Sequence, residues 1–172
     1  MPSAYTIRPA TAADLAAVSQ LLGETWHATY DGIYGKDRVT DLTGRWHSPD
    51  NLLRGLANKN GTFLVAVLAG SLAGTASAVA NEAGTHLDLL RLYVRPDHQG
   101  GGLGQKLLAE TLARFPALRQ CALEVEPANV RAIAFYQRHG FVVAGKVNDC
   151  SGSGDGIPAL KLVREIGTAH PA

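Results

Sequence analysis

The stretch Val94-Arg95-Pro96-Asp97-His98-Gln99-Gly100-Gly101-Gly102-Leu103-Gly104-Gln105 decides how the rest of the chain is read. Before it, residues 87–94 are a strong strand candidate, stopped by Pro96. After it, Leu103, Leu107, Leu108, Leu112 and Phe115 recur at helical spacing, with Pro116 just past the end. A glycine turn between a strand and a helix lets the backbone come close to a ligand. The first N–H groups of that helix lack carbonyl partners within it, and with the helix dipole they favour an anion such as a pyrophosphate. A glycine run alone is equally compatible with a flexible turn that binds nothing.

Two other phosphate-binding loops fail on spacing. The P-loop requires Gly-Lys followed by Ser or Thr, whereas Gly104 is followed by Gln105-Lys106-Leu107. The dinucleotide fingerprint requires Gly-x-Gly-x-x-Gly in a first βα unit. Here Gly100-x-Gly102-x-Gly104 comes after several elements, and Glu124, twenty residues on, is a coincidence of spacing.

Outward from the loop, the pattern predicts the order β-α-α-β-β-β-α-β-α-β-β, a mixed α/β sheet. Residues 5–9 are short and extended. Thr11 reads as a helix N-cap with Asp14 at the capping-box position, and Leu15, Val18, Leu22 and Trp26 then form one apolar stripe. Between residues 31 and 60, Gly32, Gly35, Gly44 and Pro49 interrupt the pattern, which predicts one or two short helices with irregular joins. Residues 63–80 carry no charge and are long enough to raise a membrane span. Ala69-Gly70-Ser71 divides them, so two strands joined by a tight turn, 62–68 and 71–80, are expected instead. A strand over 121–126 and a helix over 130–139 follow. Gly140 is at a left-handed C-cap position there, with Phe141 packing back on Phe135. Strands at 141–147 and 159–166 close the order.

Bulk properties narrow the class. The 172 residues are 46% hydrophobic and 18% charged, which excludes a disordered or collagen-like chain and suits one domain spanning 1–172. Sixteen basic against fifteen acidic side chains, without a basic run, give no reason to expect a nucleic-acid partner. Residues 1–9 lack the charged and apolar regions of a signal peptide, and a soluble, cytoplasmic protein is expected. Cys121 and Cys150 have no metal-site spacing and read as idle thiols in a reducing compartment.

The residues resemble the GNAT superfamily of N-acetyltransferases. Gln99-Gly100-Gly101-Gly102-Leu103-Gly104 matches its Gln/Arg-x-x-Gly-x-Gly/Ala cofactor loop, and Leu92-Tyr93-Val94-Arg95-Pro96 is similar to the strand leading in. Asn129-Val130-Arg131-Ala132-Ile133-Ala134-Phe135-Tyr136, ending at Gly140-Phe141, resembles the second motif, Asn-x-x-Ala-x-x-Phe-Tyr-x-x-x-Gly-Phe. The opening Ile7-Arg8-Pro9-Ala10-Thr11 is also typical, so the likeness runs from about residue 5 to 165. It implies a central, mostly antiparallel sheet with a splayed parallel pair made by the fourth and fifth strands, and helices on both faces.

The same resemblance implies acetyl-CoA as co-substrate. The backbone of Leu92, Tyr93 and Val94 would pair with its pantetheine arm, and the N–H groups from Gln99 through Gly100, Gly101, Gly102 and Leu103 to Gly104 would hold the pyrophosphate. Gln105, in the helix's first turn, belongs to that loop, and Asn129 would touch the pantetheine. Asn129 also sits where a helix N-cap is wanted.

Acetyl transfer from a thioester to an amine needs a neutral acceptor, a donor for the oxyanion and a proton for the departing thiolate. In the family the Val94 amide is the expected oxyanion donor, and Tyr136 is the candidate general acid. Glu124 resembles the proposed base of the ribosomal-protein N-terminal acetyltransferases, and Asp88 the position of the catalytic Glu in the histone acetyltransferase branch. By alternation His86, Asp88, Leu90, Leu92 and Val94 share one face. Tyr136 as a packed aromatic, and the acids as solvated strand residues, are the plain alternatives.

The acceptor side is expected in the first helices, around Thr25–Tyr34 with Arg45 and Trp46, where Asp31, Asp37 and Asp41 would attract a cationic amine. A small-molecule or peptide amine is the expected partner, and the class admits a homodimer. The remaining alternative is an acyl-CoA-binding sensor of the same fold without turnover.

Overall fold

The chain enters its first helix through a built cap. Thr11 N–H donates to Asp14 Oδ2 at 2.8 Å, and Arg8 holds the same carboxylate with both terminal nitrogens at 2.8 and 2.9 Å. That guanidinium, ahead of the Thr11 backbone bond, pulls the Asp14 carboxyl down to about 2. The coordinates are a computed structural model that describes residues 4–167.

Along the chain follow β1 (Thr6–Pro9), α1 (Leu15–Tyr34), α2 (Lys36–Trp46), α3 (Pro49–Leu56), β2 (Gly61–Leu68) and β3 (Ser71–Ala80). Then come β4 (His86–Val94), α4 (Leu103–Ala113), β5 (Gln120–Val125), α5 (Val130–Arg138), β6 (Val142–Val147) and β7 (Ala159–Glu165). The seven strands are ordered β1-β2-β3-β4-β5-β7-β6. Registers β1–β2, β2–β3, β5–β7 and β6–β7 are antiparallel. The β4–β5 pair is parallel, from His86↔Gln120 to Asp88↔Ala122, whereas β4 runs on to Val94 and β5 to Val125. This is the mixed, mostly antiparallel sheet with a brief parallel pair that the resemblance implies.

Two compact units divide the chain, one made of residues 1–79 and 91–114, the other of 80–90 and 115–172. In the first unit, strand alternation builds two apolar layers. Phe63 and Val65 of β2 pack with Val18, Leu21 and Leu22 of α1 and with Leu52 of α3. Leu64 and Ala66, on the opposite face, pack with Leu103 and Leu107 of α4. Helices therefore cover both faces there, with α2 packed on α1. Gly74 fits α4 closely to β3: a Cβ there would lie 2.9 Å from Leu107 Cδ1 and 3.0 Å from the Tyr93 carbonyl.

In the second unit, α5 ends as expected of a Schellman closure. Phe141 N–H donates to Tyr136 O at 3.0 Å and Gly140 N–H to Gln137 O at 3.2 Å. The ring that Phe141 meets is Tyr136, edge-on at 5.5 Å, in place of the expected Phe135. The motif pairs Phe141 with the residue whose carbonyl it caps, which is Tyr136.

The region 31–60 is more helical than its glycines suggest. Gly32 lies inside α1 and Gly44 inside α2, each on a side with open space, where a missing side chain costs propensity only. The break falls at Gly35, and Pro49 starts α3 at its first position, with Ser48 Oγ accepting from Asn51 N–H. Thr111, absent from the expected apolar stripe of α4, is fully buried because its hydroxyl donates to Leu107 O at 2.7 Å.

The β2–β3 turn has positive φ at both central residues, 50° for Ala69 and 82° for Gly70. This is the type I′ hairpin geometry, which alanine fits poorly and asparagine well. Ala69→Asn should therefore raise unfolding stability by about 0.5–1 kcal/mol in denaturant titration.

Candidate active site

The first unit carries the glycine loop. Pro96–His98 form a short 3-10 turn, and Gln99 folds its side chain back so that Nε2 donates to Val94 O at 2.9 Å. Gln99's own N–H reaches Pro96 O at 3.4 Å. Gly100 and Gly102 stand at φ of 84° and 85°, and no heavy atom lies within 4 Å of where their Cβ atoms would be. Any larger side chain at these left-handed positions would be strained and would cover backbone. Gly102 is the N-cap of α4, and the first backbone bond of the helix runs from Lys106 N–H to Gly102 O. The N–H groups of Leu103, Gly104 and Gln105 therefore have no carbonyl of α4 to bind. Leu103 is buried against the sheet, while Gly100, Gly101 and Gly102 are exposed. This loop fits a diphosphate.

Leu92 and Val94 point to the α4 layer and Tyr93 to the α1 layer. The strand thus has Leu92 and Val94 on the face of the glycine-loop helix, as the alternation predicts. Facing α1 is an aromatic and basic group that the sequence reading did not single out as a unit. Trp26 Nε1 donates to Tyr93 Oη at 3.2 Å, and Trp26 meets Tyr30 at 4.5 Å, Trp46 at 5.4 Å and His47 at 5.7 Å between ring centroids. Arg91, two residues before Tyr93, sends Nε to His47 Nδ1 at 3.2 Å and a terminal nitrogen to Trp46 O at 3.2 Å. Burial, and then the Arg91 charge, push His47 down to about 3. Of the expected acidic attractants, Asp31 is taken by His27 at 2.6 Å and Asp41 by Arg45 at 2.8 Å.

The second unit carries Asp88, Glu124, Asn129 and Tyr136. Asp88 is opposite Ala122 in register, and Glu124 lies two residues further along β5, so both carboxylates are on the same face. Both are exposed. Glu124 Oε2 accepts Ser151 N–H at 2.6 Å, and across the β5–β7 ladder it faces Lys161. Asp88 has no hydrogen bond or ion pair among the described residues. His86 is bound up with Thr85 at 3.0 Å. Asn129 caps α5, its Oδ1 accepting Ala132 N–H at 3.2 Å. Tyr136 is buried, with its ring edge-on to Phe135 at 5.3 Å.

The two cysteines are free. Burial, first, pushes Cys121 up to about 12 and Cys150 up to about 11, which keeps both as thiols. Among the described residues no group of three His, Cys, Asp or Glu is placed to hold a metal ion, and no helix is long and apolar enough to cross a membrane.

Residues 20–141 match the model of the acetyltransferase (GNAT) family, and the chain belongs to that family. It is accordingly an acyltransferase of the N-acetyltransferase class, with acetyl-CoA as co-substrate. The spermidine N(1)-acetyltransferase of Thermoplasma acidophilum is 31% identical over 155 residues, covering 86% of this chain and 91% of that protein. A peptidyl-lysine N-acetyltransferase of Salmonella typhimurium is 32% identical over 80 residues, 46% of this chain and 51% of its own. The crystal structure of a PaiA N-acetyltransferase from Thermoplasma acidophilum in complex with coenzyme A has the same fold, with a TM-score of 0.80 at 24% identity, covering 95% of this chain and 99% of that one.

Because folding holds His47 neutral, protons favour the unfolded chain. Its contribution is intact above the ordinary value of 6.5, and stability falls as pH drops below it. By NMR, the His47 ring should show no titration between about pH 5 and 8, the range in which an unperturbed imidazole changes charge.

Proposed function

We propose that residues 1–172 act as one N-acetyltransferase domain that moves the acetyl group of acetyl-CoA directly to a primary amine of a small molecule or peptide N-terminus. The observation that carries the reading is the start of α4. Two left-handed glycines open the backbone, and the Leu103, Gly104 and Gln105 amides lie beyond the reach of any carbonyl in their helix. A pyrophosphate there is bound by dipole and amide protons.

The other roles follow residue by residue. Backbone groups of Leu92, Tyr93 and Val94 bind the pantetheine as an added strand would, and Asn129 contributes an amide. The Val94 N–H stabilises the oxyanion. Its place is supported by Gln99, which fixes the Val94 carbonyl and so the strand end. Tyr136, held by rings on two sides, is suited to give its proton to the leaving thiolate. A carboxylate on the shared face, Glu124 or Asp88, takes the proton of the amine. Among the described residues Asp88 has no bond to give up, whereas Glu124 must release or share the Ser151 amide. The curated relatives named for spermidine and for peptidyl-lysine support an amine acceptor.

Titration with coenzyme A tests the cofactor site. Saturable binding below ~1 mM is expected, and Gly102→Val should weaken it by about tenfold or more while the thermal unfolding midpoint stays within a few degrees. No saturable binding would exclude both the acetyltransferase and the acyl-CoA sensor.

Tyr136→Phe should lower kcat about tenfold or more with coenzyme A affinity nearly unchanged. The base is resolved by comparing Glu124→Gln with Asp88→Asn: the variant that loses about 10²-fold in kcat and flattens the acid limb of the pH profile identifies it. Equal turnover in all three variants would leave the chemistry to water and backbone.

A further inference from the structure

Arg91 is a partly buried cation without a counter-charge. Its Nε donates to His47 Nδ1 at 3.2 Å, and its terminal nitrogens to Ser77 Oγ at 3.4 Å and Trp46 O at 3.2 Å. All three acceptors are neutral, and among the described residues no Asp or Glu pairs with it. Burial alone pulls the guanidinium below its ordinary value, which measures how poorly the surroundings replace water. A guanidinium has five N–H donors, so two are left after these bonds.

His47 repeats the pattern beside it. The Arg91 N–H occupies Nδ1, so the neutral ring carries its hydrogen on Nε2. His47 is only 5% exposed, and its Nε2 has no hydrogen-bond partner. Buried donors without acceptors are rare and call for an explanation. Here two neighbouring residues are incompletely met among the described residues: Arg91 of β4 lacks an anion, and His47 at the end of α2 lacks an acceptor for Nε2–H. The acids of α1 and α2 do not supply it: Asp31 is with His27, Asp41 with Arg45 and Glu24 with Arg95 at 3.5 Å, and among the described residues Asp37 does not pair with Arg91. Trp26 and Tyr93 wall the group and hold each other through the indole N–H. A planar fork beside aromatic faces suits a carboxylate better than a second cation.

We propose that the acceptor amine carries a carboxylate, received by the remaining Arg91 N–H groups, so that amino-acid-like amines are preferred over polyamines. This rests on the N-acetyltransferase reading and narrows its substrate class.

Matched acceptors decide the matter. The full chain is assayed for free-thiol release from acetyl-CoA with a panel of α-amino and ω-amino acids, their amides, amine phosphates and spermidine. Acids should exceed their amides in kcat/KM by about tenfold or more, as one charge-assisted bond supplies. In Arg91→Gln that ratio should fall toward one, mainly through KM, and Arg91→Lys, which keeps the charge without the fork, should retain part of it. Coenzyme A affinity, measured in the same preparations, should be unchanged, and its loss in the wild type would instead overturn the acetyltransferase reading. Arg91 also ties α2 to β4, so the wild-type comparison stands alone if the variants fail to fold. Amides, phosphates or spermidine used as well as the acids, no thiol release with any carboxylate-bearing amine, or an acid preference unchanged in a folded Arg91→Gln would each overturn the proposal.

Discussion

Alternation along β4 is the constraint on which the arrangement of the first unit depends. Successive side chains of a strand point to opposite faces, so a single stretch must satisfy two layers at once. Leu92 and Val94 anchor the layer of α4, and Tyr93 anchors the layer of α1. Shifting the strand by one residue would exchange these sets and leave Arg91 against apolar α4. The glycines begin at Gly100, six residues after this strand ends, and Gln99 ties back to Val94, so the loop inherits its position from the register of the sheet. Close packing of α4 on Gly74 adds to that restraint, because backbone and Leu107 leave no room for even a methyl group.

Charge is placed differently in the two units. In the first, the proposed anion site is made of amide dipoles at a helix start, with Lys106 exposed in the same helix and Arg91 bonded to neutral groups. Such binding needs no flexible ammonium or guanidinium and loses little entropy when the ligand arrives. The second unit holds its carboxylates on the exposed face of β4 and β5, flanked by Lys161 and the Ser151 amide. General bases can work from such positions only if the substrate or water reaches them, which exposure permits.

In the proposal, the Arg91–His47 pair is where this chain selects its acceptor. An apolar wall at these positions would make a more stable unit, since unsatisfied donors cost free energy. The open N–H groups of Arg91 suit a ligand that completes them. Membership of the family fixes the donor half of the reaction, and residues outside the shared motifs distinguish one acceptor from another.

Much was legible in the chain itself, because it depends on local chemistry. Gly100 and Gly102 with their positive φ, the cap at Thr11 and Asp14, and the closure at Gly140 and Phe141 are backbone requirements that only certain residues meet, and all appear at their positions. The hairpin could be read from Ala69-Gly70, though the preference of that turn for positive φ at Ala69 could not. Helix length between residues 31 and 60 was underestimated, since tertiary packing of Val39, Leu42 and Leu52 outweighs the modest propensity cost of Gly32 and Gly44. The partner of Phe141 depended on side-chain direction at a helix end rather than on spacing. Arg91 is the clearest case of what only the tertiary structure decided. A charged residue between leucines in a strand reads as solvent-facing, and His47 as a polar residue after a helix, because periodicity assigns a face but not what covers it. Their meeting required β4 and the end of α2, 44 residues apart, to be brought together by the apolar layers around them.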